Sequence, residues 1–110
     1  MENLICPTIL TWTIYTKSNC IYCTKVKELL ESNNINFTIV NCDEYLINNE
    51  IKEIFLSQME NFIGKGYLYK TFPMVFDGIN FIGGFTDTEK YIRTNWKQQT
   101  DSSLVFEDDF

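Results

Sequence analysis

Histidine is absent from this chain of 110 residues, and proline occurs only twice. Without histidine, and with Cys6 and Cys42 far from metal-pair spacing, the chain offers no favourable zinc site. No apolar run reaches the roughly 18 residues of a membrane-spanning helix. Acidic residues outnumber basic ones by 15 to 9, so the net charge is −6, and no basic patch suits nucleic acid. These absences argue against a bound metal, a membrane partner and a nucleic-acid partner.

The first seven residues also lack the basic and apolar stretches of a secretory signal peptide. We therefore expect a cytosolic protein whose four cysteines are reduced or catalytic thiols rather than a disulfide framework. With 45% hydrophobic and 15% aromatic residues, the composition is that of a folded chain. A length of 110 residues suffices for one domain.

The charge is spread unevenly along the chain. Residues 101–110 contain four acidic residues and no basic one, so they carry −4 of the net charge of −6. We expect residues 1–98 to form the domain and residues 99–110 to form an acidic, flexible tail. Apolar side chains among these acids suggest a peptide that becomes ordered on binding. They are Leu104, Val105, Phe106 and Phe110.

The residue pattern predicts alternating strands and helices. Strands are expected at residues 8–16 and 36–40, and helices at 21–33 and 44–60. Four apolar residues of the second helix repeat at helical spacing and are expected on one face: Ile47, Ile51, Ile54 and Phe55.

The last third of the chain predicts a hairpin and a third helix. Residues 74–76 and 80–82 would pair around a turn at Asp77 and Gly78. Thr86 and Glu89 fit a capping box that would begin the last helix near Thr86. The order βαβ, α, ββ, α predicts an α/β fold in which a parallel strand pair and an antiparallel hairpin share one sheet.

Cys20 and Cys23 stand three residues apart, between the first predicted strand and the first predicted helix. Helical spacing places both sulfurs on one face, and the free amides of the first turn, with Lys17 nearby, lower the pKa of the leading thiol. This pattern predicts a redox pair in which Cys20 is the exposed nucleophile and Cys23 the resolving thiol. Two buried structural cysteines are the alternative. Cys6 and Cys42 are expected to be unreactive.

Three segments together resemble the glutaredoxin branch of the thioredoxin fold. Residues 16–23, Thr-Lys-Ser-Asn-Cys-Ile-Tyr-Cys, are similar to its active-site run, which commonly has proline where Ile21 stands. Residues 71–73, Thr-Phe-Pro, resemble its cis-proline segment, and residues 83–87, Gly-Gly-Phe-Thr-Asp, resemble its glutathione loop. The likeness covers residues 9–97. It implies a thioredoxin-like α/β fold, with a four-stranded mixed sheet flanked by helices.

The resemblance implies a glutathione site beside the cysteine pair. Lys17 would contact the thiolate and the glycine carboxylate, while Lys70 would bind that carboxylate or be an ordinary solvated lysine. Thr86 and Asp87 would hold the γ-glutamyl group or only cap the last helix. The implied glutathione-binding residues are Lys17, Tyr22, Lys70, Thr71, Phe72, Pro73, Gly84, Phe85, Thr86 and Asp87.

The leading functional hypothesis is a dithiol glutaredoxin. It would reduce protein disulfides and protein–glutathione mixed disulfides, with glutathione as its reductant. Two alternatives stay open. The absence of proline at Ile21 leaves room for an iron–sulfur cluster shared by two chains through Cys20 and glutathione. A thioredoxin-like electron donor served by a flavin reductase is the other, although the chain lacks the thioredoxin signature and has the glutathione loop.

The tail resembles the C-terminal peptide of class I ribonucleotide reductase small subunits, which docks on the large subunit. That enzyme receives electrons from glutaredoxins. The likeness therefore implies that the segment from Leu104 to Phe110 tethers the protein to the large subunit and raises its effective concentration there.

Overall fold

A computed structural model describes residues 4–64, 66 and 69–96. Their regular elements are β1 (Trp12–Thr16), α1 (Ile21–Ser32), β2 (Phe37–Asn41), α2 (Asn49–Ile63), β3 (Met74–Asp77), β4 (Asn80–Gly83) and α3 (Phe85–Tyr91). A short 3₁₀ helix (Asp43–Leu46) precedes α2, and a π-helical turn (Ile92–Trp96) follows α3. The expected tail, residues 99–110, lies outside the described residues. Among those described, no helix is long and apolar enough to cross a bilayer.

The four strands form one mixed sheet in the order β2-β1-β3-β4. β1 pairs in parallel with β2, so the chain must cross over between them, and α1 makes that connection. β3 runs antiparallel to β1 and to β4. All five residues of β1 are buried, which fits a central strand covered on both faces. The predicted α/β fold with a four-stranded mixed sheet is confirmed.

Two apolar cores cover the two faces of the sheet. Side chains of β1 and β3 alternate between them, because successive residues of a strand point to opposite faces. One core contains Ile14 and Val75 with two apolar residues of α1, Val26 and Leu30. The other contains Tyr15, Met74 and Phe76 with the buried residues of α2. The sheet is therefore the middle layer of three.

β1 begins later than the sequence predicts. Residues 8–11 precede the strand, and sheet pairing begins at Trp12, opposite Phe37 in β2 and Asp77 in β3. Ile9 and Leu10 are 77% and 87% exposed. Residues 8–11 are rich in β-branched side chains and so favour a strand, but neither neighbouring strand extends far enough to pair with them.

The second predicted helix is two elements, so the expected apolar face is partly wrong. Asn48 interrupts it, because its side chain accepts a hydrogen bond from the Ile51 amide at 2.9 Å and caps a new helix. Ile47 lies before that cap and is 71% exposed, and Ile54 is 49% exposed. Phe55, as predicted, is fully buried.

The hairpin turn lies one residue later than predicted. Asp77 pairs with Asn80, so Gly78 and Ile79 form the connection, and Gly78 has a φ of +63°. Asp77 stays in the strand, where its carboxylate accepts a hydrogen bond from the Tyr91 hydroxyl at 2.6 Å.

The predicted capping box at Thr86 and Glu89 is wrong. α3 begins at Phe85 with Gly84 as its cap, and the Asp87 carboxylate accepts a hydrogen bond from the Gly84 amide at 3.4 Å. The two glycines before α3 turn the chain two residues earlier than a Thr86 cap would require. Asp87 therefore occupies the position that the pattern assigned to Glu89.

Candidate functional site

Cys20 is the cap residue of α1, and its sulfur takes part in two contacts. The sulfur accepts a hydrogen bond from the Cys23 amide at 3.2 Å, and its S–H donates to the Phe72 carbonyl at 3.8 Å. Cys20 is half-buried, whereas Cys23 is 2% exposed. The leading thiol is therefore the accessible one, and it stands at the N-terminus of α1 with the Cys23 amide directed at its sulfur.

Cys23 lies one turn further along α1 in different surroundings. Burial and the hydrogen bond with Cys20 raise the pKa of the Cys23 thiol to about 12, although a backbone hydrogen bond with Lys17 acts the other way. Cys23 is therefore a neutral thiol at neutral pH while Cys20 is reduced. The two sulfurs are suited to different steps.

A groove of about 830 Å³ lies next to Cys20, which does not line it but whose sulfur contacts Phe72 of its lining. All ten residues implied as a glutathione site line it, although they come from three distant parts of the chain. They are Lys17, Tyr22, Lys70, Thr71, Phe72, Pro73, Gly84, Phe85, Thr86 and Asp87. The fold brings them together because the active-site loop, the segment before β3 and the start of α3 meet at one end of the sheet.

Three further residues line the groove, and sequence reasoning missed them: Leu46, Lys52 and Tyr69. One of them had a readable signal. Lys52 stands three residues before the buried Phe55, so helical spacing places both on the same side of α2. Phe55 in turn stacks on Phe72 of the groove, with ring centroids 6.2 Å apart.

The charged lining of the groove is mostly basic. Lys17, Lys52 and Lys70 come from three separate segments, and Asp87 is the acidic residue among the lining side chains of the described chain. The chain as a whole is acidic, so this local reversal of sign favours an anionic ligand.

Aromatic rings form the walls of the groove. Tyr22 stacks on Phe85 with centroids 5.9 Å apart, and the Lys25 ammonium lies 5.4 Å and 6.0 Å from the two ring centres. Phe72 is half-buried against Phe55, so part of its ring packs into the core. The Phe72–Pro73 peptide bond is cis, as the resemblance implies.

Glycine is required where the chain enters α3. Gly83 has a φ of +132°, and a Cβ there would stand 2.3 Å from the Asp87 carboxylate. A Cβ on Gly84 would stand 2.9 Å from the Tyr69 hydroxyl. The close approach of Asp87 and Tyr69 to the backbone therefore depends on two residues without side chains.

The remaining two cysteines lie apart from this chemistry. Burial, followed by the charge of Asp43, raises the pKa of the Cys42 thiol to about 12, which supports the prediction that Cys42 is unreactive. Cys6 is exposed. Within the described part of the chain, no group of three or more Cys, Asp or Glu side chains could hold a metal ion.

Comparison with known proteins gives one consistent family. A glutaredoxin family model matches residues 12–82. Mitochondrial glutaredoxin-2 of Homo sapiens is 32% identical over 77 residues, covering 70% of this chain and 42% of the relative. The Bos taurus protein of the same name is 34% identical over 79 residues, covering 70% and 44%. This chain therefore spans less than half the length of these curated relatives.

Solved structures show the same fold. Glutaredoxin 1 from Francisella tularensis, complexed with cacodylate, matches with a TM-score of 0.61 and 28% identity, covering 76% of this chain and 92% of that one. A buckwheat glutaredoxin–glutathione complex matches with a TM-score of 0.59 and 19% identity, covering 87% and 82%. At 19% identity, the match to the buckwheat protein shows a shared fold only.

Proposed function

Since this chain belongs to the glutaredoxin family, we propose that it is a glutathione-dependent thiol–disulfide oxidoreductase with Cys20 as its nucleophile. The observation that carries the proposal is the groove beside Cys20, whose lining includes all ten residues that the family resemblance implies. The groove is cationic and lies next to a redox thiol, so its ligand should be anionic and should carry a thiol. Glutathione has both properties.

The groove complements the charges of glutathione. At neutral pH glutathione has two carboxylates and one ammonium group. Lys17, Lys52 and Lys70 supply positive charge for the carboxylates, and Asp87 supplies negative charge for the ammonium. The stacked rings of Tyr22 and Phe85 give the tripeptide backbone an apolar wall.

The reaction is an exchange of thiolate and disulfide. The Cys20 thiolate attacks the glutathione sulfur of a protein–glutathione mixed disulfide, forms a bond to it, and releases the client as a thiolate that takes up a proton. A second glutathione thiolate then attacks the glutathione sulfur bound to Cys20. This step releases oxidised glutathione and returns Cys20 to its thiolate form.

A protein disulfide needs the second cysteine. Cys20 attacks one client sulfur, and the other client sulfur leaves as a thiolate. Cys23 then attacks the Cys20 sulfur of the mixed disulfide, its proton passes to the departing client thiolate, and Cys20 and Cys23 are oxidised to a disulfide. Two glutathione molecules reduce this disulfide.

Two serine variants test these roles. Cys20→Ser is expected to abolish both deglutathionylation and disulfide reduction, because both routes begin with its sulfur. Cys23→Ser is expected to lose reduction of a protein disulfide and keep deglutathionylation. The readout is NADPH oxidation through glutathione reductase with each type of substrate. Equal loss of both activities in Cys23→Ser would contradict the roles.

We further propose that the C-terminal tail directs the protein to ribonucleotide reductase. The support is the likeness of residues 104–110 to the docking peptide of the small subunit, with Phe106 and Phe110 as apolar anchors among acids. Deleting residues 101–110 is expected to weaken binding to the large subunit and slow its reduction, while turnover of a small mixed disulfide is retained. Unchanged binding and unchanged reduction would refute this role.

A cluster-carrying function is the alternative. Ile21 stands where proline is common in the family, and it is 66% exposed beside Cys20. Anaerobic reconstitution with iron, sulfide and glutathione is the test. A carrier would give visible absorbance and a dimer, and a colourless monomer would exclude this function.

We also propose a cytosolic location. The support is compositional: the four cysteines fit reduced or catalytic thiols better than a disulfide framework, as suits a reducing compartment. The curated relatives have mitochondrial in their names. Imaging of the fluorescently tagged natural protein beside a mitochondrial marker separates the two compartments.

A further inference from the structure

Asp43 holds the loop that leads into the redox pair. Its carboxylate accepts a hydrogen bond from the Ser18 amide at 2.8 Å and another from the Ser18 hydroxyl. Ser18 lies between Lys17, which lines the groove, and Cys20, the cap of α1. The Asp43 carboxylate therefore holds the short segment that contains both Lys17, the proposed glutathione-binding lysine, and Cys20, the proposed nucleophile.

This contact is built by the parallel pairing of β1 and β2. The two strands end at the same edge of the sheet, and the Cys42 amide donates to the Thr16 carbonyl at 2.8 Å one step beyond β2. Asp43 is thereby placed opposite Ser18. The Asn41 side chain accepts a hydrogen bond from the Asp43 amide at 3.0 Å, and this contact holds the backbone of Asp43.

The segment between Ser18 and the helix has a backbone that needs such support. Asn19 has a φ of +56°, in the left-handed region that residues with a side chain seldom adopt. Asparagine tolerates this region better than most residues, yet the loop is short and exposed. A fixed contact on Ser18 limits where Lys17 and Cys20 can lie.

We propose that Asp43 is a positioning residue for the thiol chemistry. Through its hydrogen bonds with Ser18, Asp43 fixes where Lys17 and Cys20 lie relative to the groove. The inference rests on the proposed glutathione-dependent function. The hydrogen bonds from Ser18 and the charge of Lys17 hold the pKa of the Asp43 carboxyl below its usual value, so the carboxylate is charged at neutral pH.

Four variants test the role: Asp43→Ala, Ser18→Ala, the double variant, and Glu44→Gln as the control. Glu44 is the exposed acidic neighbour of Asp43 and interacts with Tyr45, so its substitution removes a nearby charge without touching Ser18. Turnover is measured in the glutathione-coupled assay, the pH profile of Cys20 alkylation by iodoacetamide is measured separately, and thermal unfolding confirms folding.

Asp43→Ala is expected to lower kcat/KM for glutathione about tenfold, mainly through KM, and to shift the pH profile of alkylation. Ser18→Ala keeps the backbone hydrogen bond and is expected to lose about threefold. The double variant is expected to match Asp43→Ala, because both changes remove one interaction.

Two results would overturn the inference. One is an Asp43→Ala variant that equals Glu44→Gln in both turnover and alkylation. The other is a double variant whose fold-loss is the product of the two single fold-losses, as two independent sites would give. Alkylation does not depend on glutathione turnover, so a wild-type protein inactive with glutathione would refute the proposed function while the alkylation profiles still decide the role of Asp43.

Discussion

At the scale of single residues, Cys20 and Cys23 lie within one turn at the start of α1 but differ in exposure and in their surroundings. Cys20 is half-buried, caps α1 and faces the Phe72 carbonyl, whereas Cys23 is buried with its pKa raised to about 12. Exposure and helix position were readable from the sequence, because a strand followed by a capped helix orients the first residue outward. The contact with Phe72 was not, since 52 residues separate the partners.

Lys52 gives the first prediction at this scale. Lys52→Gln is expected to raise KM for glutathione about fivefold with kcat nearly unchanged, because an exposed ion pair contributes up to ~1 kcal/mol to binding. The measurement is steady-state kinetics in the glutathione-coupled assay at low salt. Lys90→Gln is the matched control, since Lys90 is an exposed lysine that does not line the groove. Equal KM values for the two variants would remove Lys52 from the site.

The residue-level site was predictable because its motifs are local in sequence. Residues 71–73 and 83–87 each form a short segment whose residues lie together in the sequence and, apart from Gly83, line the groove, so a resemblance transfers residue by residue. Leu46, Lys52 and Tyr69 were missed because each reaches the groove through tertiary packing rather than through a motif. The Asp43–Ser18 contact was missed for the same reason.

At the scale of elements, specific side-chain contacts decided where individual helices and the hairpin turn begin, against the local helix and turn propensities. The sequence predicted the order of strands and helices because hydrophobic periodicity reports burial directly. It misplaced the start of α2, where the Asn48 side chain caps the helix, and the start of α3, where Gly84 and Asp87 form the cap. It also misplaced the hairpin turn, since Asp77 is held by Tyr91.

The entry into α3 gives a prediction at this scale. Gly83→Ala is expected to lower the free energy of unfolding by about 2–4 kcal/mol, because a positive φ alone costs ~1–2 kcal/mol and the new Cβ would also meet the Asp87 carboxylate. KM for glutathione should rise as α3 shifts. Urea denaturation provides the stability measurement.

Gly64→Ala is the control for that variant. Gly64 has a similar φ of +142°, but a Cβ there would meet nothing within 4 Å. The expected loss is therefore only the conformational part, about 1–2 kcal/mol, with no change in KM. If the two alanine variants lose equal stability, the close approach of Asp87 is not what requires glycine at residue 83.

At the scale of the whole molecule, the buried thiols predict how stability depends on pH. The pKa values of Cys23 and Cys42 are raised from 9.0 to about 12, and that of Tyr91 from 10.0 to about 12. Above pH 9 the unfolded chain releases these protons and the folded chain keeps them, so rising pH favours unfolding.

Stability is therefore expected to fall between about pH 9 and pH 12, with each thiol contributing up to about 1.4 kcal/mol per pH unit. Chemical denaturation of the reduced protein at pH 7.5, 9 and 10.5 measures the trend. Cys42→Ala should reduce the slope above pH 9, whatever it does to stability at pH 7.5. A free energy of unfolding that is constant from pH 7.5 to 10.5 would contradict the assignment.

We propose that one cationic groove selects glutathione as the reductant of Cys20. The most direct test of this proposal compares the reduction of a disulfide substrate with two electron sources, NADPH with glutathione reductase and glutathione, and NADPH with thioredoxin reductase alone. We expect turnover with the glutathione system, none with the thioredoxin system, and none with Cys20→Ser in either. Turnover that depends on thioredoxin reductase and is indifferent to glutathione would contradict the proposal.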